Sequence, residues 1–420
     1  MIWLYGCLCA CLIEEALSLI HAAANWRYAI KAFGSPRPSR YAPKVLLIVP
    51  CRGLDKAFRN NIRSLLSQDY PDYVLWFVVR DQADPAYAEL TAILARFAEV
   101  SRPRFVRILV AGPCTGSSQK LHNLLYAIGQ SPDDIEVFAF ADSDIQAPPD
   151  WLSSLIAPLA NPRVGATTGY RWFVPVKADA ASIVLSCLNA KVAQMLGQSS
   201  FNLAWGGSMA VRTETFRICK IEAIWARSLA DDLTLAGAIR ARGLRIRFVP
   251  RSLVPSYCQV TWREFLEFGR RQFFLTRLYS PGTWLVALIG TALAIFDLWA
   301  VLGMAVCSVC SGWMIGLAGM RVPAWPIWLG AWLAFMISGL VKGIMRQHVG
   351  GHIFLKRPPT AQKAMVVDIL GFWLWPILMF LLMLASAVGK TINWRGLRYR
   401  VHGPDRIEVL TLDRDKATSR

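Results

Sequence analysis

Apolar and polar positions alternate in blocks through the middle of the chain and fuse into long apolar runs at both ends. Val45-Leu-Leu-Ile-Val49 is a short apolar run that stops at Pro50. Residues 57–68 then carry apolar side chains at helical spacing. Val74–Val79 reads as a second strand and 85–98 as a second helix. Phe105–Val110, 118–129 and Val137–Ala141 continue the alternation. Strands alternating with helices predict a parallel sheet covered on both faces. Residues 44–260 are therefore expected to form an α/β domain. In such sheets ligands bind beyond the carboxyl ends of the strands, so the segments after Val49, Val79, Val110 and Ala141 are the places to look.

The ends of the chain follow a different pattern. Residues 1–26 are mostly apolar, interrupted by Glu14, Glu15 and His21. Arg27, Lys31, Arg37, Arg40 and Lys44 follow, with no acid among them. A signal peptide carries its positive charge before the apolar core. Here the charge comes after it, which predicts a membrane anchor with the following domain in the cytoplasm. A cleaved signal ending near Ala22–Ala24 is the weaker alternative. Residues 261–281 read as an amphipathic helix lying in the membrane interface.

Residues 284–319 contain one charge, Asp297, and 322–341 and 369–389 contain none. About 20 apolar residues cross a bilayer as a helix. The first run is long enough for two short crossings or one long, broken helix, so 284–389 is expected to hold three or four spans and the whole chain four or five. The segment 342–363 has five basic residues and no acid, and the tail 390–420 is also basic. Simple crossings cannot put both on one side, so 342–363 is expected to lie on the membrane surface or to re-enter it. The reading is a multi-pass integral membrane protein with a cytoplasmic catalytic domain.

Composition narrows the class. Hydrophobic residues make up 55% and charged residues 18%, against roughly 25% charged in soluble domains. Disorder, collagen and coiled coil are excluded, and the balance argues against a purely soluble protein. The net charge of +18 favours lipid headgroups or a phosphate-bearing ligand. No nucleic-acid-binding module is visible. Cys7, Cys9, Cys11, Cys307 and Cys310 sit within apolar runs and read as small hydrophobes.

Polar residues collect at the expected strand ends. Pro50-Cys-Arg-Gly-Leu-Asp55 follows the first strand, Asp81-Gln-Ala-Asp84 the second, Gly116-Ser-Ser-Gln-Lys120 the third and Asp142-Ser-Asp144 the fourth. Carboxylates at a strand edge suit a hard divalent cation that keeps positions open for phosphate oxygens. Lys120 offers a point charge to a diphosphate. Asp231-Asp232 precedes a helical pattern and reads either as a helix cap or as part of the site.

Several of these segments occur in an order that resembles family-2 glycosyltransferases of the GT-A fold, and most closely the ceramide glucosyltransferase group. Val79-Arg-Asp81-Gln-Ala-Asp84-Pro85 resembles the group's first aspartate motif and Gln119-Lys120-Leu-His-Asn123-Leu124 its Lys–Asn segment. Asp142-Ser-Asp144 is similar to its D-x-D motif, Gly206-Gly207-Ser-Met-Ala-Val-Arg212 to its acceptor-side strand, and Ala230-Asp231-Asp232-Leu-Thr-Leu-Ala to its third acidic motif. Asn393-Trp394-Arg395-Gly396-Leu-Arg-Tyr399-Arg400 resembles the closing segment. One motif departs. Where the group has [Q/R]-x-x-R-W, this chain reads Arg271-Gln-Phe-Phe274-Leu275, with Arg277 available from the next turn.

The resemblance implies a GT-A (Rossmann-like) domain flanked by transmembrane segments, and inverting transfer of one sugar, glucose from UDP-glucose, to a lipid hydroxyl of ceramide. It implies a Mg²⁺ or Mn²⁺ cofactor on Asp144. Asp81, Lys120, Asn123 and Asp142 are then expected to bind the nucleotide sugar, and Asp232, rather than Asp231, to be the base. Trp205, Gly207, Asp231, Arg271 and Arg277 are expected near the acceptor or product. A hopanoid or other lipid acceptor with N-acetylglucosamine, a processive polysaccharide synthase, and a non-catalytic membrane scaffold remain as alternatives. Oligomeric state is left open.

Overall fold

A computed structural model describes residues 2–35, 41–97, 102–199, 201–317 and 320–410. Arg37, Arg40, the end of the helix expected over 85–98 and positions 411–420 of the tail lie outside the described residues. In chain order the first elements are α1 (Ile2–Gly34), β1 (Val45–Pro50), α2 (Phe58–Leu66), β2 (Tyr73–Val79), α3 (Pro85–Phe97), β3 (Phe105–Val110), α4 (Gln119–Ile128), β4 (Val137–Ala141) and α5 (Trp151–Ile156). There follow β5 (Val164–Pro175), α6 (Ala180–Ala193), β6 (Ser208–Arg212), α7 (Thr213–Ile218), α8 (Ile221–Trp225), α9 (Asp231–Ala241), β7 (Arg245–Cys258) and α10 (Trp262–Tyr279). The last third holds α11 (Pro281–Cys310), a hairpin of β8 (Met314–Leu317) and β9 (Met320–Pro323), α12 (Trp325–Gly351), α13 (Pro359–Leu370) and α14 (Trp375–Ala387). A sheet of β10 (Thr391–Trp394), β11 (Leu397–Gly403) and β12 (Arg406–Leu410) closes the chain.

Seven strands form one mixed sheet in the order β3-β2-β1-β4-β6-β5-β7. β3, β2, β1 and β4 run parallel, with Val45 opposite Tyr73 on one side and Val137 on the other. β6 is antiparallel to both β4 and β5, and β5 pairs in parallel with β7. Successive side chains on a strand point to opposite faces. Leu47 and Val49 accordingly pack with α2, α3 and α5, whereas Leu46 and Ile48 pack with α4, α8 and α9. Both faces are covered, which is why these strands read as unbroken apolar runs. The expected α/β class is present, and its strand ends gather where the sequence placed them.

α1, α11 and α12 are each long and apolar enough to cross a membrane, and the α13–α14 pair, bent by 91°, makes a fourth if counted as one broken span. Among the described residues four spans, the lower of the two numbers expected, are reached only with the bent pair counted, and a fifth is not found. Residues 284–310 continue one helix, and the run then turns at Gly312 (φ 58°) into the β8–β9 hairpin. Leu8, Leu298, Ala305, Trp328 and Phe335 pack α1, α11 and α12 together.

The basic segment 342–363 also differs from expectation. Its first ten residues are the last turns of α12. Lys342 Nζ lies 2.7 Å from Glu15 of α1, and Arg346 is paired with the fully buried Asp368 of α13 at 2.6 Å. Two of the five basic residues are thus neutralised inside the helix bundle, whereas Lys356 and Lys363 are exposed.

α1 runs past the expected anchor and ends against the α/β domain. Arg251 of β7 donates to the carbonyls of Ala32, Phe33 and Ser35, satisfying the end of the helix. α10 starts with a capping box: Thr261 Oγ1 accepts from Glu264 N–H, and Glu264 Oε2 accepts from Thr261 N–H. The basic tail is the β10–β12 sheet. Ile392, Tyr399 and Val401 pack it against Leu229 and Ala230 ahead of α9 and against Phe274 and Leu275 of α10.

Candidate active site

The site assembles at the carboxyl ends of β1 and β4 and the start of α9. Asp142 and Asp144 follow β4 directly, and Asp231 and Asp232 open α9. Lys120, in the first turn of α4, lies between them: its Nζ is 2.8 Å from Asp142 Oδ1 and 2.9 Å from Asp231 Oδ2. Burial works against the ammonium charge, but the two carboxylates outweigh it and hold the Lys120 pKa above its ordinary value. Asp142 is also buried, yet Lys120 and Arg171 keep its carboxyl below the usual range. The lysine expected to meet a diphosphate is thus matched within the protein and sets the spacing of two carboxylates.

Two glycines make this approach possible. A Cβ on Gly206 would lie 2.0 Å from Asp231 Oδ2, and one on Gly207 would lie 2.1 Å from the Trp205 ring and 2.6 Å from Asp142 Oδ2. The Gly206-Gly207 pair lets the β6 edge come up against both carboxylates.

Asp232 is in a different setting. Gly206 N–H donates to its Oδ2 at 3.3 Å, and Leu233 N–H to its Oδ1 at 2.7 Å. Its pKa is pushed up to about 6, first by burial and then by the neighbouring Asp231. A carboxyl group of that pKa is a competent base near neutral pH.

Asp144 is raised by burial and by Asp142. Its Oδ2 lies 3.8 Å from Arg171 Nη1, and its Oδ1 is buried without a hydrogen-bond partner. An orphaned, buried carboxylate oxygen beside a second carboxylate fits a hard divalent cation, which takes oxygen ligands. Among the described residues no cluster of three or more His, Cys, Asp or Glu converges here. Asp142 and Asp144 would hold such an ion by one edge and leave its other positions open.

The remaining expected residues divide. Arg271 is at the site: its guanidinium lies over the rings of Phe268 and Trp394 and donates one long bond, 3.4 Å, to Asn393 O. Burial, with Arg171 and Arg395 nearby, pushes its pKa down to about 10. Trp205 is buried, and its ring lies 5.0 Å below the Arg171 guanidinium. Asn123 is not open to a ligand. It is buried, donates to Val78 O and accepts from Gln119 Nε2. It steadies the end of β2. Asp81 stands apart: its half-exposed side chain is 3.6 Å from Arg80. Arg277 lies over Phe274, and among the described residues it makes no ion pair with the carboxylates.

Two arginines at the site were not among the expected residues. Arg171 projects from β5 toward Asp144, with Phe173, Trp205 and Phe268 around it. A lone arginine in an otherwise apolar strand was the available signal. Arg395 comes from the turn between β10 and β11 and pairs with Asp55 at 3.3 Å. Its segment had been recognised, but its position depends on a contact that no local pattern reveals.

A buried acidic pair after β4 with an orphaned oxygen, and a carboxyl at the start of α9 pushed up to about 6, suit group transfer at the edge of an α/β sheet. Residues 7–407 match glycosyl transferase family 21, and the chain belongs to that family. It is a glycosyltransferase. The chain is also similar to two solved structures. One is a mannosyltransferase from Pyrobaculum calidifontis in complex with GDP-Man and Mn²⁺ (15% identity, 90% of this chain and 97% of that one, TM-score 0.42). The other is a glucosyl-3-phosphoglycerate synthase from Mycobacterium tuberculosis in complex with Mn²⁺ and UDP-glucose (13% identity, 56% and 78%, TM-score 0.36).

Proposed function

We propose that this protein transfers one sugar, glucose from UDP-glucose, to the hydroxyl of a membrane lipid, ceramide, with inversion at the anomeric carbon. The observation that carries the reading is the position of Arg171. Its guanidinium is 3.8 Å from Asp144 and 5.5 Å from the ring of Phe268 on α10. The acidic pair and the amphipathic helix therefore meet at one side chain, so a hydroxyl reaching up from the membrane surface arrives next to the acidic crevice.

In this reading Asp142 and Asp144 hold a divalent cation, Mg²⁺ or Mn²⁺, which supplies charge neutralisation to the leaving nucleoside diphosphate. Asp232 takes the proton of the lipid hydroxyl. The hydroxyl oxygen forms its bond to the anomeric carbon as the bond to the diphosphate oxygen breaks, and that electron pair leaves with UDP. Lys120 holds Asp142 and Asp231 at fixed positions, and Gly206 N–H orients the Asp232 carboxylate. Trp205 and Phe268 keep water from Arg171 and strengthen its field. Asp81 belongs to the nucleoside end of the donor. The basic residues that follow the N-terminal apolar run favour a cytoplasmic catalytic domain, where nucleotide sugars are available.

Mass spectrometry of lipid extracts from cells with and without the protein tests this. A monohexosyl lipid that appears only with the protein supports the reading. Identical lipid profiles, or a polymeric sugar product, contradict it.

A further inference from the structure

The β10–β11 turn carries a cation to the carboxyl end of β1. Arg395 and Gly396 both have left-handed backbone, with φ of 44° and 74°. Arginine is uncommon there. It is held by its side chain: Nη1 donates to Arg52 O at 2.9 Å, and Nη2 lies 3.3 Å from Asp55 Oδ1. The sheet behind it is fixed as well. Tyr399 OH accepts from Gln119 N–H at the start of α4, and the apolar face of the sheet packs on α10.

The Asp55 carboxylate also ties this turn to the D-x-D segment: its Oδ2 accepts from Ser143 Oγ at 3.2 Å. Burial opposes the charge of Arg395, and Asp55, then Asp144 and Asp142, outweigh that and favour it. Its side chain remains 39% exposed, and a guanidinium has five N–H donors, more than its two partners use. Lys120 is matched by two carboxylates at under 3 Å, and Arg171 is packed against three aromatic rings. Arg395 thus keeps donors that neither Arg52 O nor Asp55 takes up.

We propose that Arg395 binds the leaving diphosphate of the donor, and that the C-terminal sheet is a wall of the donor site. The inference rests on the nucleotide-sugar reading above. Phosphate oxygens share the guanidinium with Asp55 when the donor binds. As the bond from the anomeric carbon to the diphosphate breaks, charge builds on that oxygen and its hydrogen bonds to Arg395 strengthen. Trp394, stacked on Arg271, brings a second arginine to the same edge.

The test is calorimetric binding of UDP and of uridine to the full-length protein in detergent with Mn²⁺. Arg395→Gln is expected to weaken UDP by about 10–100-fold, the range for a hydrogen bond to a charged group, and to leave uridine unchanged. Arg395→Lys recovers part of the loss. Asp55→Asn removes the tether and keeps the cation, so it binds UDP at least as tightly as wild type. Equal UDP affinity in wild type and Arg395→Gln overturns the inference alone. So does an equal loss for UDP and uridine, or a loss in Asp55→Asn that matches Arg395→Gln, because either makes Arg395 a structural tie. A wild-type protein that does not bind UDP overturns the donor reading and this inference together.

Discussion

Asp231 and Asp232 are neighbours with opposite surroundings. The first is buried and neutralised by Lys120; the second accepts two backbone N–H groups and titrates at about 6. A base must be deprotonated to act. Below pH 6 the reactive fraction of Asp232 falls about tenfold per pH unit, and above it the fraction levels off. The kcat/KM profile is expected to show that acid limb near 6. Asp231 is the second cause raising the pKa, so Asp231→Asn should move the limb to lower pH while the enzyme stays active. A limb unmoved in Asp231→Asn would show that Asp232 is not the group observed. At Asp144 the orphaned oxygen predicts that EDTA abolishes transfer and that Asp144→Ala does so even with excess Mn²⁺. Full activity after EDTA would make Asp142-Ser-Asp144 a structural turn. These carboxylates were legible because each follows an apolar strand or opens a helix. Arg171 was not, because its place depends on how β5 lies beside α10. Asn123 was expected at the donor, and its helix turns the amide toward the end of β2.

At the scale of elements, strands buried on both faces announce themselves as short apolar runs, and β1 to β4 were legible for that reason. Lys342 and Arg346 read as a loop because their partners, Glu15 and Asp368, are remote in sequence or lie on another helix. The uncharged stretch 369–389 read as a span, but the chain breaks between Leu370 and Trp375, with Pro376 in the first turn of α14, where its missing N–H costs nothing. Asp368 is fully buried and accepts from Arg346 and Gln347. Asp368→Ala strands a buried cation and is expected to cost about 3–5 kcal/mol. Arg346→Met with Asp368→Leu should be less damaging than either single change, since it removes both charges. Thermal unfolding in detergent checks the order. A double variant less stable than both singles would contradict the view that a stranded buried charge is the main cost.

At the scale of the molecule, both ends of the chain dock on the α/β domain: α1 through Arg251, and the C-terminal sheet through Tyr399 and Arg395. The long apolar helices and the acidic crevice are thereby joined across α10, the arrangement that the proposed transfer to a lipid requires. The most direct measurement is transfer of labelled glucose from UDP-glucose to ceramide in vesicles, comparing wild type with Asp232→Asn. Wild type should form a lipid carrying one glucose. Asp232→Asn should bind UDP normally and lose about 10²–10⁴-fold in kcat, the contribution of a positioned base; transfer by Asp232→Asn at the wild-type rate would contradict the mechanism, and no labelled lipid from wild type would contradict the function.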